Sequence, residues 1–176
     1  MKQLTQVSAS LLLLCALAGM AAPGSSVTVS ELLPRDHEIP GWGVYANTLL
    51  YCPKPDDFTE IYDGGFELYT DNGAMEAATQ LYKGMETTAE IVIHRMKTWE
   101  QSKAFFRYWL KQRDPKSLIN VPAITNDSFV AREGRTTAGY LWRGAFFVTV
   151  KVNTTGKDSE RVTLAFLKLI SKKVGA

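Results

Sequence analysis

The chain has 176 residues, of which 45% are hydrophobic and 22% charged, and its formal net charge is +2. A chain of this length and composition can bury the core of one globular domain, which excludes the disordered and fibrous classes. The nearly neutral charge gives no electrostatic reason to bind nucleic acid, so no nucleic-acid partner is expected.

The first 21 residues have the pattern of a secretory signal peptide. Lys2 gives a positive start, residues 11–18 form an apolar run too short to span a bilayer, and Gly19 and Ala21 fit a cleavage site. A second site after Gly24 also fits. Removal of Lys2 lowers the net charge from +2 to +1. We therefore predict an exported protein, periplasmic or extracellular, with residues 22–30 as a flexible leader and no membrane span.

The two cysteines are both expected to be unmodified. Leu14 precedes Cys15, where a lipidation signal needs a small residue, so no lipid anchor is expected. Cys52 has no second cysteine to pair with after removal of the signal peptide. We interpret it as a buried, inert thiol at the end of a strand.

The mature chain begins with an irregular stretch. Residues 31–42 contain Pro34, Pro40 and Gly41, which prevent long regular structure. The β-prone residues 44–51 predict one strand that ends before Pro53.

Residues 56–73 are the most distinctive stretch of the chain. At 100° per residue, its apolar side chains fall on one side and its carboxylates on the other. The apolar side consists of Phe58, Ile61, Tyr62, Gly65, Phe66, Leu68 and Tyr69, and the acidic side of Asp56, Glu60, Asp63, Glu67 and Asp71. A capping-box-like start at Asp57 and a left-handed stop at Asn72-Gly73 bound the stretch. The pattern predicts one amphipathic helix.

Gly64 and Gly65 lie in the middle of this predicted helix, where each glycine costs about 1 kcal/mol relative to alanine. One explanation is that the sheet backbone or an aromatic ring packs directly against Gly65, with a bend at Gly64. The alternative is that the pair breaks the helix, so that the two amides face a ligand beside Asp63 and Glu67.

The next elements are a hairpin and a helix. Alternation of apolar and polar residues predicts paired strands over 74–83 and 89–97. Thr98 with Gln101 forms a capping box that begins a helix ending at Arg113.

The last third of the chain predicts a loop, three strands and a helix. Residues 116–127 form the loop, in which Ile119, Val121 and Ile124 are expected to point inward. The strands are predicted at 128–133, 138–143 and 145–152, and the helix at 158–174. The predicted fold class is α+β. One domain over 31–176 contains an antiparallel sheet of about five or six strands covered by about three helices.

Four short segments, in their order along the chain, carry a resemblance to a known family. They are Leu32-Leu33-Pro34, Gly41-Trp42, Ile61-Tyr62-Asp63-Gly64-Gly65-Phe66-Glu67-Leu68-Tyr69 and Trp142-Arg143-Gly144. Together they resemble a family of secreted bacterial proteins of unknown function, whose helix motif reads Tyr-Ile-(Asn/Asp)-Gly-x-x-Glu-x-Tyr. Here the tyrosine and isoleucine are exchanged, and Phe66 replaces a small residue. The resemblance covers nearly all of the mature chain and implies an α+β fold and an extracytoplasmic location, but no activity.

The candidate binding residues all lie on the central stretch. They are Asp63, Gly64, Gly65, Glu67, Tyr69 and Asp71. Three of the side chains are carboxylates in a row along one helical face, and such a row cannot encircle a cation such as calcium by itself. Three interpretations stay open: a solvated acidic face, a face that meets a basic partner or a cation, and a pair of catalytic carboxylates. No cofactor is expected.

Charge is unevenly distributed along the chain. The residues between Lys54 and Lys83 include seven acidic side chains and no basic one, whereas residues 95–116 include seven basic ones against Glu100 and Asp114. The two regions could pair with each other.

Glu90 and His94 share one face of a predicted strand but lie about 13 Å apart along it. This separation is too large for a compact metal pair without a third element, so His94 is expected to be a cross-strand partner.

The aromatic residues divide into two groups. Trp99, Phe105, Phe106 and Trp109 recur at helical spacing and are interpreted as core. Tyr140 and Trp142, on a hairpin near Gly144, are interpreted as exposed aromatic contacts.

No catalytic motif is recognisable in the sequence: no HExxH, CxxC, phosphate loop, GxGxxG or Ser-His-Asp order is present. An export signal without such a motif favours a non-catalytic binding or accessory module whose partner is an unknown small molecule or protein. The alternative is a metal-assisted hydrolase that uses Asp63, Glu67 and either His94 or Glu90.

Overall fold

The computed structural model describes residues 27–84, 86–120 and 127–175, which contain eight strands in one antiparallel sheet and four α-helices. The α+β class is therefore confirmed. There are more strands than expected because β1, β2 and β5, defined below, are only two or three residues long. The predicted signal peptide, and Val121 and Ile124 of the predicted loop, lie outside the described residues.

The bounds of most elements agree with the sequence prediction. The strands are β1 Trp42–Val44, β2 Leu50–Cys52, β3 Ala74–Gly84, β4 Thr87–Met96, β5 Leu118–Ile119, β6 Ser128–Glu133, β7 Thr136–Arg143 and β8 Phe146–Val152. The α-helices are α1 Val29–Leu32, α2 Glu67–Asp71, α3 Trp99–Lys111 and α4 Lys157–Val174, and 3-10 helices span Pro55–Glu60 and Pro115–Ser117. The strand predicted over 44–51 is instead two short strands, β1 and β2, because the chain turns between them at Asn47, whose φ is +60°.

The sheet has the strand order β1-β3-β4-β8-β7-β6-β5, and β2 pairs with β3 beside β1. Successive side chains of a strand point to opposite faces, and the two faces carry separate apolar clusters. On the α4 face, Ile91 and Val150 pack with Phe166 of α4. On the α3 face, Phe147 packs with Phe105 of α3 at 4.8 Å between ring centroids.

Helix α4 lies close to its face of the sheet because β7 has a glycine beneath it. A Cβ atom at Gly139 would come within 2.5 Å of Thr163 Cγ2 and 2.8 Å of Leu167 Cδ1. In the part of the chain that the structure describes, no helix is both long and apolar enough to cross a membrane.

Two predictions about aromatic residues are wrong. Trp99, expected in the core, is 50% exposed because it is the first residue of α3, before the helix reaches the sheet. Tyr140, expected at the surface, is only 1% exposed because it shares the α3 face of β7 with Ala138. Phe105 and Phe106 are buried, as predicted.

The predicted central helix is broken. A 3-10 helix ends at Glu60, and α2 begins only at Glu67. Between them Gly64 and Gly65 have φ values of +95° and +73°, in the left-handed region that glycine adopts without strain. Apart from the adjoining residues, no heavy atom of the described chain lies within 4 Å of a Cβ built on either glycine, so the predicted close packing against Gly65 is wrong.

The apolar side of this stretch nevertheless faces inward. Phe58 is fully buried, and the other members pack against the same cluster on the α3 face: Ile61, Tyr62, Phe66, Leu68 and Tyr69. The stop predicted at Asn72-Gly73 is confirmed, since α2 ends at Asp71 and Gly73 has a φ of +91°.

The N-terminal segment is fixed to the sheet by one carboxylate. Val29 and Ser30, predicted to lie in the flexible leader, belong to α1, and Val29 is fully buried. Glu76, 8% exposed, accepts hydrogen bonds from the Val29 backbone N–H at 3.1 Å, from the Tyr51 hydroxyl at 2.9 Å and from Arg95 Nε at 2.5 Å. Glu76–Arg95 also links the acidic and basic regions of the sequence.

We expect Gly64→Ala and Gly65→Ala each to lower the free energy of unfolding by about 1–2 kcal/mol, because an L side chain is strained at these φ values. Asparagine tolerates the left-handed region better, so Gly64→Asn and Gly65→Asn should lose less than the alanine variants. Urea denaturation measures all four. Alanine variants as stable as the wild type would contradict this explanation.

We expect Glu76→Ala to lower the free energy of unfolding by about 2–3 kcal/mol, because it leaves Arg95 and two other donors without their acceptor. The Arg95 side chain is 27% exposed, which keeps the loss below that of a fully buried pair. The control is Arg161→Ala, which removes the exposed pair with Asp158 at 3.2 Å and should cost less than about 1 kcal/mol. Equal urea midpoints for the two variants would count against the assigned role of Glu76.

Candidate functional site

A cleft of about 240 Å³ opens on the α3 face of the sheet, beyond the area that α3 covers. Its floor consists of two successive cross-strand pairs of β4 and β8. These are Val92 opposite Thr149 and Glu90 opposite Lys151. The next pair along the strands is His94 opposite Phe147, and both of these residues are fully buried. The cleft thus begins where the aromatic cover of the sheet ends.

The first wall comes from the broken central stretch. It consists of Ile61, Tyr62, Asp63 and Tyr69. The rings of Tyr62 and Tyr69 stack with 4.4 Å between centroids, and the ring of Tyr69 stacks on the His94 imidazole at 4.7 Å. The Tyr62 hydroxyl lies 2.7 Å from His94 Nε2, a hydrogen bond that ties this wall to the sheet.

His94 is a neutral, buried imidazole. Burial lowers the pKa of His94 from 6.5 to about 3. The backbone of Phe147 acts in the opposite direction, but Nδ1 is buried and has no hydrogen bond of ordinary geometry to any described residue. Burial is also the main cause that raises the pKa of Tyr62 far above its usual value. Neither group exchanges a proton near neutral pH, so the pair is suited to support and unsuited to general acid–base chemistry.

The second wall consists of Trp109 of α3 and Tyr140 of β7, whose rings stack at 5.9 Å. Arg113 covers both rings, with its guanidinium carbon 5.0 Å from each centroid. Its Nη2 donates to the Tyr140 hydroxyl at 2.6 Å, and that hydroxyl donates to Glu133 Oε1 at 2.6 Å. Arg113 and Glu133 also form an ion pair at 3.0 Å, which makes this wall rigid.

Both the second wall and the floor contain polar groups without a partner. In the wall, Trp109 Nε1 is buried without a hydrogen bond among the described residues. Thr149 is 7% exposed, and its hydroxyl has no hydrogen bond within the described part of the chain. Glu90 and Lys151 are half-buried and directly opposite each other, yet neither has an ion-pair partner within 4.0 Å among the described residues. Burial is the main cause that raises the pKa of Tyr69, and the nearby Glu90 carboxylate adds to it.

The sequence-predicted site residues are divided by the fold. Asp63 and Tyr69 line the cleft. Four others are exposed and lie outside the cleft: Gly64, Gly65, Glu67 and Asp71.

Sequence reasoning missed most of the floor and Trp109 of the second wall. It named Tyr140 as an aromatic contact but expected it to be exposed, whereas it is buried. Thr149 and Lys151 are the polar members of the alternating strand β8, on the same face as Phe147. This alternation was a usable signal, but the partner strand and the register were needed to place Glu90 beside Lys151.

No metal site is evident in the described ranges, where no group of three or more His, Cys, Asp and Glu side chains is arranged to hold an ion. His94 is a cross-strand neighbour of Ala77 and Phe147, and its Nε2 is occupied by Tyr62. Cys52, at the end of β2, is buried and donates to the Asp57 carbonyl at 3.2 Å. Burial raises the pKa of its thiol to about 11, in agreement with the prediction of an inert cysteine.

Other depressions in the surface are larger but less suited to a ligand. A cavity of about 400 Å³ lies beside the first turn of α4. Its lining includes the carboxylates of Glu86 and Asp158, which oppose the anion that a helix N-terminus would attract. The cleft on the α3 face, in contrast, lies between two aromatic walls.

Comparison with protein-family models, with curated proteins and with solved structures found no match to this chain. The resemblance to a family of secreted bacterial proteins therefore stays a prediction.

We expect the protein to lose stability as the pH falls from 6.5 towards 3, because the unfolded state protonates His94 there while the native state keeps it neutral. This group contributes a loss of about 1.4 kcal/mol per pH unit within that window. Urea denaturation at several pH values should show a shallower pH dependence for His94→Gln. Tyr62→Phe should be less stable at every pH but keep the wild-type slope, since burial is the main cause of the shift. Equal slopes for the wild type and His94→Gln would refute the assignment.

Proposed function

We propose that this protein is a non-catalytic, exported binding module that holds a small molecule in the cleft on the α3 face. The observation that carries the proposal is the hydroxyl of Thr149, a residue on the floor of the cleft, which has no hydrogen bond within the described part of the chain. This hydroxyl opens into the cleft, so a bound ligand can supply the hydrogen bond that the described part of the protein does not. The charges of the neighbouring Glu90 and Lys151 also favour a polar ligand.

The walls support binding because they are held in place before any ligand arrives. Tyr62 is fixed by its hydrogen bond to His94, and Tyr140 by Arg113 and Glu133. A preorganised pocket loses little conformational entropy on binding. The same contacts disfavour catalysis, because the titratable groups nearest the aromatic walls are engaged with each other.

The alternative, a metal-assisted hydrolase, has less support. It requires Asp63 and Glu67 to converge with His94 or Glu90. Asp63 and Glu90 do line one cleft, but Glu67 is exposed outside it and His94 is buried beneath the aromatic wall. Two carboxylates alone provide too few ligands for a dedicated cation site.

The export assignment rests on the sequence pattern of residues 1–21 and on the resemblance to secreted bacterial proteins. It is tested by the N-terminal sequence of the protein recovered from the producing cell, where Ala22 or Ser25 is expected.

We expect native mass spectrometry of the protein purified from its own host to show a small-molecule adduct that Thr149→Val loses. The valine variant should fold normally, since the hydroxyl makes no hydrogen bond to any residue that the structure describes. The matched control is Thr79→Val. Thr79 is also 7% exposed and on the same sheet face, two strands away in the same cross-strand row, but it does not line the cleft. Absence of any adduct, or an adduct that survives Thr149→Val, would overturn the proposal.

A further inference from the structure

We propose that the ligand of the cleft is a small zwitterion of the α-amino-acid type, which carries an ammonium and a carboxylate group close together. This inference rests on the binding function proposed above and adds the chemical class of the ligand.

The first argument is the charge on the floor of the cleft. Glu90 and Lys151 face each other on adjacent antiparallel strands, where opposite side chains have Cβ atoms roughly 4.5–5.5 Å apart. At that separation an ion pair is the ordinary outcome, yet none joins them within 4.0 Å. Both half-buried charges are thus free to meet complementary charges of a ligand.

The second argument is that both signs of charge are present in one small space. A simple cation would be attracted by Glu90 and Asp63 but repelled by Lys151. A simple anion would be attracted by Lys151 but repelled by the two carboxylates. A neutral sugar could form hydrogen bonds but would leave the charged groups partly desolvated without a counter-charge. A ligand with both charges brings an ammonium to the two carboxylates, Glu90 and Asp63, and a carboxylate to Lys151.

The third argument is the position of the other lining groups. Thr149 precedes Lys151 by two residues on the same face of β8, so its hydroxyl and the Lys151 ammonium can donate to one carboxylate. The ammonium of the ligand then meets Glu90, with Asp63 on the wall above. Val92 and the rings of Tyr62 and Tyr69 surround the apolar part of the ligand.

The size of the cleft limits the ligand further. A volume of about 240 Å³ is below the range of pockets that enclose drug-sized ligands. It suits one amino acid and excludes enclosure of an oligosaccharide or a longer peptide.

The test is calorimetric titration of the full mature chain with four probes. L-leucine carries both charges, 3-methylbutylamine is leucine without the carboxylate, 4-methylpentanoate is leucine without the ammonium, and glucose is neutral. We expect leucine to bind at least 10-fold more tightly than either single-charge analogue, because a hydrogen bond to a charged group contributes at least that factor. Glucose should not bind.

Two variants assign the charges. Glu90→Gln should weaken leucine binding about 10-fold without weakening that of 4-methylpentanoate, and Lys151→Met should weaken leucine binding without weakening that of 3-methylbutylamine. Lys83→Met is the control, since Lys83 lies on the same face of β3 outside the cleft. Thermal melting of each variant checks that it is folded.

The outcomes separate this inference from the proposed function. A single-charge analogue or glucose that binds as tightly as leucine, with binding lost in Thr149→Val, would overturn the zwitterion and keep the binding module. Leucine binding unaffected by Glu90→Gln and Lys151→Met would also overturn the inference. Absence of binding by all four probes, together with absence of any co-purified adduct, would overturn both.

Discussion

The site depends on one hydrogen bond, between the Tyr62 hydroxyl and Nε2 of His94. It joins the irregular segment after the 3-10 helix to the middle of the sheet, where a buried imidazole would otherwise have no polar partner on that nitrogen. Because the imidazole stays neutral, the bond costs no burial of charge. The first wall, which contains Tyr62 and Tyr69, covers the cross-strand pair His94 and Phe147 and leaves the next two pairs of β4 and β8 uncovered. The position of this contact therefore decides where the aromatic cover ends and the polar cleft begins.

The charged residues do not pair in the way that their positions in the sequence indicate. Of the acidic residues between Lys54 and Lys83, Glu76 is the one that pairs with the basic region, through Arg95. This pair is a structural anchor for α1 and lies on the opposite face of β3 from the cleft, as the alternation of side chains requires. In contrast, Asp63, Glu90 and Lys151 enter the cleft without an ion pair among the described residues. Charges that stabilise the fold and charges available to a ligand are thus separated by the sheet.

Much of the fold was predictable because alternation and helical period are intrinsic to the sequence. The long strands β3, β4 and β8 and the helices α3 and α4 were found within a few residues. The cleft was only partly predictable. Asp63 and Tyr69 were named, since they belong to one conspicuous stretch. The pairing of β4 with β8, which places Glu90 beside Lys151, joins strands far apart in the sequence, and no local pattern specifies that register. The burial of Tyr140 was missed for the same reason, since its environment comes from α3.

The two glycines explain why a segment with a helical pattern builds a wall instead. In a continuous α-helix, Tyr62 and Tyr69 would be separated by seven residues, or about 10.5 Å along the axis. Their ring centroids are 4.4 Å apart, a distance that such a helix would not produce. Gly64 and Gly65, in left-handed conformations, lie between the 3-10 helix that ends at Glu60 and α2, which starts in a new direction, so that both rings stack parallel to His94. The apolar period survives on both sides of the break because each half still packs against the same cluster. The apolar pattern therefore predicted burial correctly and backbone geometry incorrectly. The two glycines, which are unfavourable in a helix, break it and so create the site.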